Sequence, residues 1–125
     1  MSFAELSKEQ FINLATTKKS GAAVATPVWF ALDGDVMYIM TGKAAGKVKR
    51  IRNNPAVILG PCDRSGNLLG PTQPATARLL DESEYAHANS LLNRKYGFMK
   101  SIFDLMARFN GGLQNRAFIE IRPSA

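Results

Sequence analysis

Cysteine and histidine each occur only once in these 125 residues, as Cys62 and His87. A lone cysteine excludes an internal disulfide framework and any cysteine-rich zinc site, and a lone histidine argues against a histidine-based metal centre. No metal is expected. Long hydrophobic runs are also missing: nothing approaches the roughly 20 apolar residues that a membrane-spanning helix needs. The opening MSFAELSKEQ carries Glu5, Lys8 and Glu9 and has no apolar signal core. The expectation is a cytoplasmic chain with no membrane partner. G-x-S-x-G, a P-loop and clustered metal ligands are absent as well, so no hydrolase arrangement emerges. An enzyme built on this sequence would borrow its chemistry from a cofactor.

What is present suffices for one domain spanning residues 1–125. Hydrophobic residues make up 46% of the chain, and Gly (10) and Pro (6) occur in ordinary amounts. A domain of this length buries roughly two-thirds of its unfolded surface. The net charge of +6 and a pI near 9.8 favour anionic partners, polymeric or small.

Residues 2–10 suggest a short helix. Phe11–Lys18 is rich in β-branched and aromatic residues in alternation and reads as a strand. Ser20-Gly21 marks a turn, and Ala22–Leu32 reads as a second strand with Val24, Thr26, Val28, Phe30 and Leu32 on one face. Pro27 inside that run implies an edge, a bulge or a break. Asp33-Gly34 is a hairpin signal leading to a third strand, Val36–Thr41. Ala45–Asn54 reads as a short helix ended by Pro55, with Val48 and Ile51 inward and Ala44 on the same side. Ala56–Pro61, Thr76–Leu80 and Arg116–Arg122 complete the strands. Residues 62–70 form a loop or hairpin tip. Glu82–Phe109 is expected to be helical, broken near Gly97 and stopped by Gly111-Gly112. Adjacent hairpins in so short a chain favour an antiparallel sheet closed into a small barrel, with helices plugging or flanking it.

Two stretches carry possible chemistry. TGKAAGKVKRIRNNP, Thr41–Pro55, holds five basic residues and no acid. On a helix Lys43, Lys47 and Arg50 would share one side, with Lys49 and Arg52 on another. Gly42 and Gly46 would let a ligand approach the backbone, and a helix start favours anions. Three readings compete: a cofactor phosphate, a nucleic acid, or a solvated basic face. In ATPVWF, 25–30, a proline-interrupted strand beside Trp29 could hydrogen-bond a heterocycle edge or stack a ring, or Trp29 could simply fill the core or a subunit interface. Cys62 beside Asp63 and Arg64 has no histidine partner nearby and reads as a small buried thiol. His87 reads as a surface residue. The 43–52 stretch lacks interleaved aromatics, which counts against nucleic acid.

FINLATTKKSGAAVATPVWFALDGDVMYIMT, GKVKRIRNNPAVILGPCDRSGNLLG, ATARLLD and LLNRKYG, read in order, resemble the pyridoxamine 5'-phosphate oxidase-like split-barrel superfamily, and within it the flavin/deazaflavin oxidoreductase B group. The resemblance implies a mainly β (α+β) fold, a six-stranded antiparallel split β-barrel with flanking helices. It also implies a homodimer with cofactor sites at the subunit interface; the 61–64 loop and the C-terminal helix region of the second subunit are the candidates to complete them. The implied cofactor is F420, with FMN as the alternative. Thr26, Pro27, Val28 and Trp29 would lie along its ring system, and Met40, Thr41, Gly42 and Lys43 near its ribityl and phosphate region. Lys47, Lys49 and Arg50 would supply cations to the phosphate. The activity implied is hydride transfer between reduced deazaflavin and a small organic acceptor, with no assigned catalytic residue; Tyr38 or Thr26 could offer a pocket hydroxyl. A flavin-binding module without turnover is the rival reading.

Overall fold

The computed structural model describes residues 3–97 and 116–124. Seven strands alternate with short turns and two helices: β1 (Phe11–Thr17), β2 (Ala23–Val28), β3 (Ala31–Asp33), β4 (Val36–Gly42), α1 (Gly46–Asn53), β5 (Ala56–Cys62), β6 (Gln73–Leu79), α2 (Tyr85–Tyr96) and β7 (Arg116–Pro123). Near the start, the expected helix is a single 3-10 turn, Ala4–Leu6.

All seven strands form one antiparallel sheet in the order β2-β1-β5-β6-β7-β4-β3. Its two end strands, β2 and β3, are consecutive in the chain and separated only by Trp29 and Phe30. Three residue steps reach about 11 Å at most. The sheet must therefore curl until its edges meet, and the barrel closes through the covalent chain rather than through a hydrogen-bonded ladder. This is the split barrel, with seven strands where the sequence suggested six. The difference lies in the expected strand Ala22–Leu32. It breaks at Trp29–Phe30, and its halves become opposite edges of the sheet. Phe30 and Leu32 still face the interior with Val28, so the two-residue alternation survives the break. Pro27 stands opposite Asn13 on the edge strand, where a missing N–H can face away from the ladder. The Asp33-Gly34 turn forms as expected, with Gly34 at a φ of 61°.

Alternation sorts side chains into two clusters. Ile12, Leu14, Val28, Phe30, Met37, Ile39, Leu59, Ile119 and Ile121 fill the barrel, closed off by Ile51 of α1 and by Phe3 and Leu6. On the outer face Tyr38, Phe118 and Ala31 pack against Ala88, Leu92 and Tyr96 of α2. β4 and β7 are thus buried on both sides.

Asp81 and Glu84 begin the helical region as a capping box, the Asp81 side chain accepting from the Ser83 N–H and Glu84 from the Asp81 N–H. α2 ends at Gly97, whose φ is 53°. The rest of the helix expected to run to Phe109, with its apolar positions, and the Gly111-Gly112 stop lie outside the described residues. α1 starts at Gly46, a residue later than expected, and Ala44 is exposed rather than packed. No described helix is long and apolar enough to cross a membrane.

Tyr96 braces the break. The Phe30 N–H donates to Tyr96 Oη (2.8 Å), and the Tyr96 hydroxyl has the carbonyl oxygens of Gln10 (2.8 Å) and Phe30 (2.9 Å) in reach of its proton. Burial, opposed only by the Phe30 hydrogen bond, pushes the Tyr96 pKa up to about 12, so the hydroxyl stays protonated at any physiological pH. Tyr96→Phe would keep the ring but leave a buried N–H unpaired. The expected cost is about 1–3 kcal/mol, read as a lower urea midpoint with an unchanged slope; an unaltered midpoint would show that water replaces the hydroxyl.

Candidate cofactor site

The turn from β4 into α1 distributes the basic residues. Ala45 is extended (φ −63°, ψ 144°), the helix turns through Gly46–Asn53, and Val48 and Ile51 fix its buried side. The remaining positions point in different directions, and the cations reach three separate cavities.

The first, about 320 Å³, is lined by Phe11, Pro27, Val28, Trp29, Met40, Lys47 and Leu92. Its size is at the small end of the range for ligand pockets. The walls are apolar and one is rigid: Trp29 stacks on Tyr96 with centroids 4.5 Å apart and planes 12° from parallel. Lys47 is the only charged group among the described residues of the lining. Burial, and after it the Arg50 guanidinium, lower its pKa from the ordinary lysine value. No carboxylate among the described residues pairs with it. A half-buried cation short of a counter-charge, beside an aromatic wall, is suited to a planar ring that carries an anionic group.

A second cavity, about 340 Å³, takes Lys49 and Arg50 together with Lys18 and Lys19. A third, about 230 Å³, takes Lys43 and Arg52 beside Tyr85 and Phe118. There Lys43 meets Glu82 at 3.7 Å, an exposed pair of small energetic value. Lys43, Lys47 and Arg50 therefore do not share one helix side. Lys43 precedes α1, and Lys47 is one position off the Gly46–Arg50–Asn53 face.

Of the expected ring and phosphate residues, Pro27, Val28, Trp29, Met40 and Lys47 come together. Thr26 sits one residue earlier on β2, half-buried and outside the lining. Thr41 and Gly42 lie at the end of β4, paired with Ala117 and Arg116. Tyr38 is buried beneath α2, edge-on to His87 at 5.5 Å, and contributes no hydroxyl to the first cavity. Cys62 is buried, and burial raises its thiol pKa, as does Asp63. His87 is exposed and lies 3.1 Å from Asp33.

The profile of the family described as pyridoxamine 5'-phosphate oxidase matches residues 3–125. The chain belongs to the pyridoxamine 5'-phosphate oxidase family. Among solved structures of this fold, a protein named F420 reductase is 22% identical, with 99% of this chain and 94% of that chain covered at a TM-score of 0.59. A FAD-binding protein from Mesorhizobium loti is 17% identical, covering 100% and 91% at a TM-score of 0.67. HutZ, the heme storage protein from Vibrio cholerae, is 13% identical, covering 94% and 84% at a TM-score of 0.70. At these identities the likeness shows the fold alone. No curated protein matches the chain significantly.

Sequence reasoning missed Phe11, Leu92, Lys95 and Tyr96 as neighbours of the TPVWF strand. Lys95 places Nζ 3.4 Å from the Phe30 ring centroid. Burial lowers its pKa to about 8, with Glu9 opposing; the ring face also favours the ammonium form. An unfolded lysine keeps its proton to about 10.5. Between those values the unfolded chain binds more protons, so this group makes stability rise with pH. Lys95→Met removes the effect. The urea midpoint of the native chain should gain on that of Lys95→Met between about pH 7.5 and about pH 9.5; a constant gap would show that the ammonium is fully hydrated.

Proposed function

We propose that the cavity between Trp29 and Lys47 holds a flavin-type tricyclic ring and that the protein is an oxidoreductase, transferring a hydride between reduced F420 and a small organic acceptor. The observation that carries this reading is the half-buried Lys47, short of a carboxylate partner, at the edge of an apolar slot with a fixed aromatic wall. A reduced deazaflavin, when bound, supplies a hydride to an electron-poor carbon such as that of an enone or quinone.

The chain's own residues do the rest. Trp29, braced by Tyr96, would fix the plane of the ring. Pro27 and Val28 on the edge strand would set its depth, and Phe11, Met40 and Leu92 would keep water from the reacting face. Lys47 would hold the phosphate, its lowered pKa rising again on contact with the anion. Among the described residues no carboxylic acid, imidazole or phenol lines the cavity, and the proton that accompanies the hydride would come from solvent. Thr41, Gly42 and Lys43, at the mouth of the α1 turn, would face the chain that links ring to phosphate.

FMN, whose single monoester needs one strong cation, is the second reading. It is favoured by Lys47 being the only charge among the described residues of this lining. The partner expected in either case is a second copy of the chain. Exposed Ile58, Leu68 and Leu69 on β5 and the following hairpin, 50%, 52% and 62% accessible, are the apolar surface such a homodimer would cover.

Ring-fluorescence titrations of the purified protein with F420 and FMN test the reading. Saturable binding of F420, followed by its oxidation with an enone or quinone acceptor, is the expected result. Preference for FMN would shift the assignment, binding without turnover would make this a flavin-binding module, and binding of neither would overturn it. Lys47→Ala should weaken the bound cofactor by about 1.5–3 kcal/mol, or roughly 10- to 150-fold. Equal affinities of variant and native chain would remove Lys47 from the site.

A further inference from the structure

A lysine with no part in the oxidoreductase reading sits over the barrel break. Lys95 is half-buried on α2, with Nζ 3.4 Å from the centroid of the Phe30 ring and 5.4 Å from that of Tyr96. Leu91, Arg94 and Lys95, spaced three and four residues from the first, share one face of the helix. Together with Ala31 and Leu32 of β3, and with Ser7 after the 3-10 turn, they line a cavity of about 230 Å³. Among the described residues this cavity and the Trp29 cavity have no lining residue in common.

The surroundings favour the free amine. The described lining holds no acid, and among the described residues neither Arg94 nor Lys95 takes part in an ion pair. From β3 only the apolar Ala31 and Leu32 face the cavity. The charged groups around Lys95 are Arg94 on its own helix and Glu9 ahead of β1, and burial outweighs the Glu9 carboxylate, so that the pKa falls to about 8. At pH 7.5 roughly a quarter of such amines are unprotonated, against about one in a thousand for an ordinary lysine. A lysine desolvated in apolar surroundings is an activated nucleophile. The Phe30 ring holds its nitrogen at one place, and Arg94 adds a planar fork of donors that suits a phosphate.

We propose that Lys95 is an acylation site, which takes its acyl group from a small acyl phosphate whose phosphate rests on Arg94. The Lys95 amine attacks the carbonyl carbon and forms the C–N bond of an amide. The C–O bond to the phosphate breaks, inorganic phosphate leaves on the Arg94 side, and the amine gives up its proton to solvent. Neither the cavity nor the chemistry calls on a flavin. The amide carries no charge, so the modified chain loses the cation over the Phe30 ring, at the point where β2 passes into β3.

Acetyl phosphate is the probe, incubated with the full chain at pH 7.5 while acetylation of each lysine is followed by peptide mass spectrometry. Lys95 should react at least about tenfold faster than the exposed Lys8, Lys18 and Lys19, its excess of free amine being partly offset by the weaker nucleophilicity of a less basic nitrogen. Its rate should level off above about pH 9, whereas the exposed lysines go on gaining about tenfold per pH unit. Arg94→Gln should slow the reaction with acetyl phosphate about tenfold and leave that with p-nitrophenyl acetate, which carries no phosphate, within about twofold. Lys95→Arg keeps the cation over Phe30 and should unfold at the native urea midpoint while the fast phase disappears. A Lys95 rate no higher than those of the exposed lysines overturns the proposal. So does a rate that climbs without levelling off, a fast phase that survives in Lys95→Arg, or an Arg94→Gln chain that reacts with acetyl phosphate as fast as the native one.

Discussion

The Tyr96 hydroxyl is the contact on which the architecture turns. A strand that leaves one edge of a sheet and re-enters at the other must abandon its ladder in between, and each abandoned buried amide then needs a new partner. At Phe30 that partner comes from 66 residues further along the chain. The same side chain ties in the Gln10 carbonyl, stacks on Trp29 and sits in the outer cluster with α2. Barrel closure, the orientation of the tryptophan and the docking of the helix are thus one event. The site inherits its rigidity from a structural solution to an unpaired peptide group.

Electrostatics takes over where packing stops. α1 has only eight residues, and two of them, Val48 and Ile51, are committed to the core. That commitment sets the rotation of the helix and so decides which cation goes where. Lys47 is turned toward the apolar cavity and loses solvation there, whereas Lys49 and Arg50 turn toward Lys18 and Lys19. Two carboxylates on the outer side of β6 and β7 are committed to arginines. Glu120 lies between Arg78 and Arg122, and Glu84 is shared between Arg78 and the helix cap, its pKa held down to about 2 chiefly by the Arg78 hydrogen bonds.

Much of this was legible locally. Alternation in β1, the Asp33-Gly34 turn, the Val48/Ile51 pair and the stop before Pro55 depend on neighbours within a few residues, and the sequence shows each of them. The capping box at Asp81 and Glu84 is equally local, though it is not among the expectations above. The Trp29–Phe30 break carried one local sign, Pro27, but the proline sits in the strand and the break falls after it. Nothing in ATPVWF says that its two ends lie on opposite edges of a sheet.

The sequence by itself determined the class of structure, the hairpins, the short helix and the presence of concentrated positive charge, because periodicity, turn chemistry and composition act over short stretches of chain. Only the tertiary structure decided that one expected strand is two, that Tyr96 braces Trp29, and that the cations divide among three cavities with Lys18 and Lys19 joining Arg50. Those outcomes follow from barrel closure and from the rotation of α1 against it. Both are set by the packing of residues far apart in the chain, to which no local pattern is sensitive.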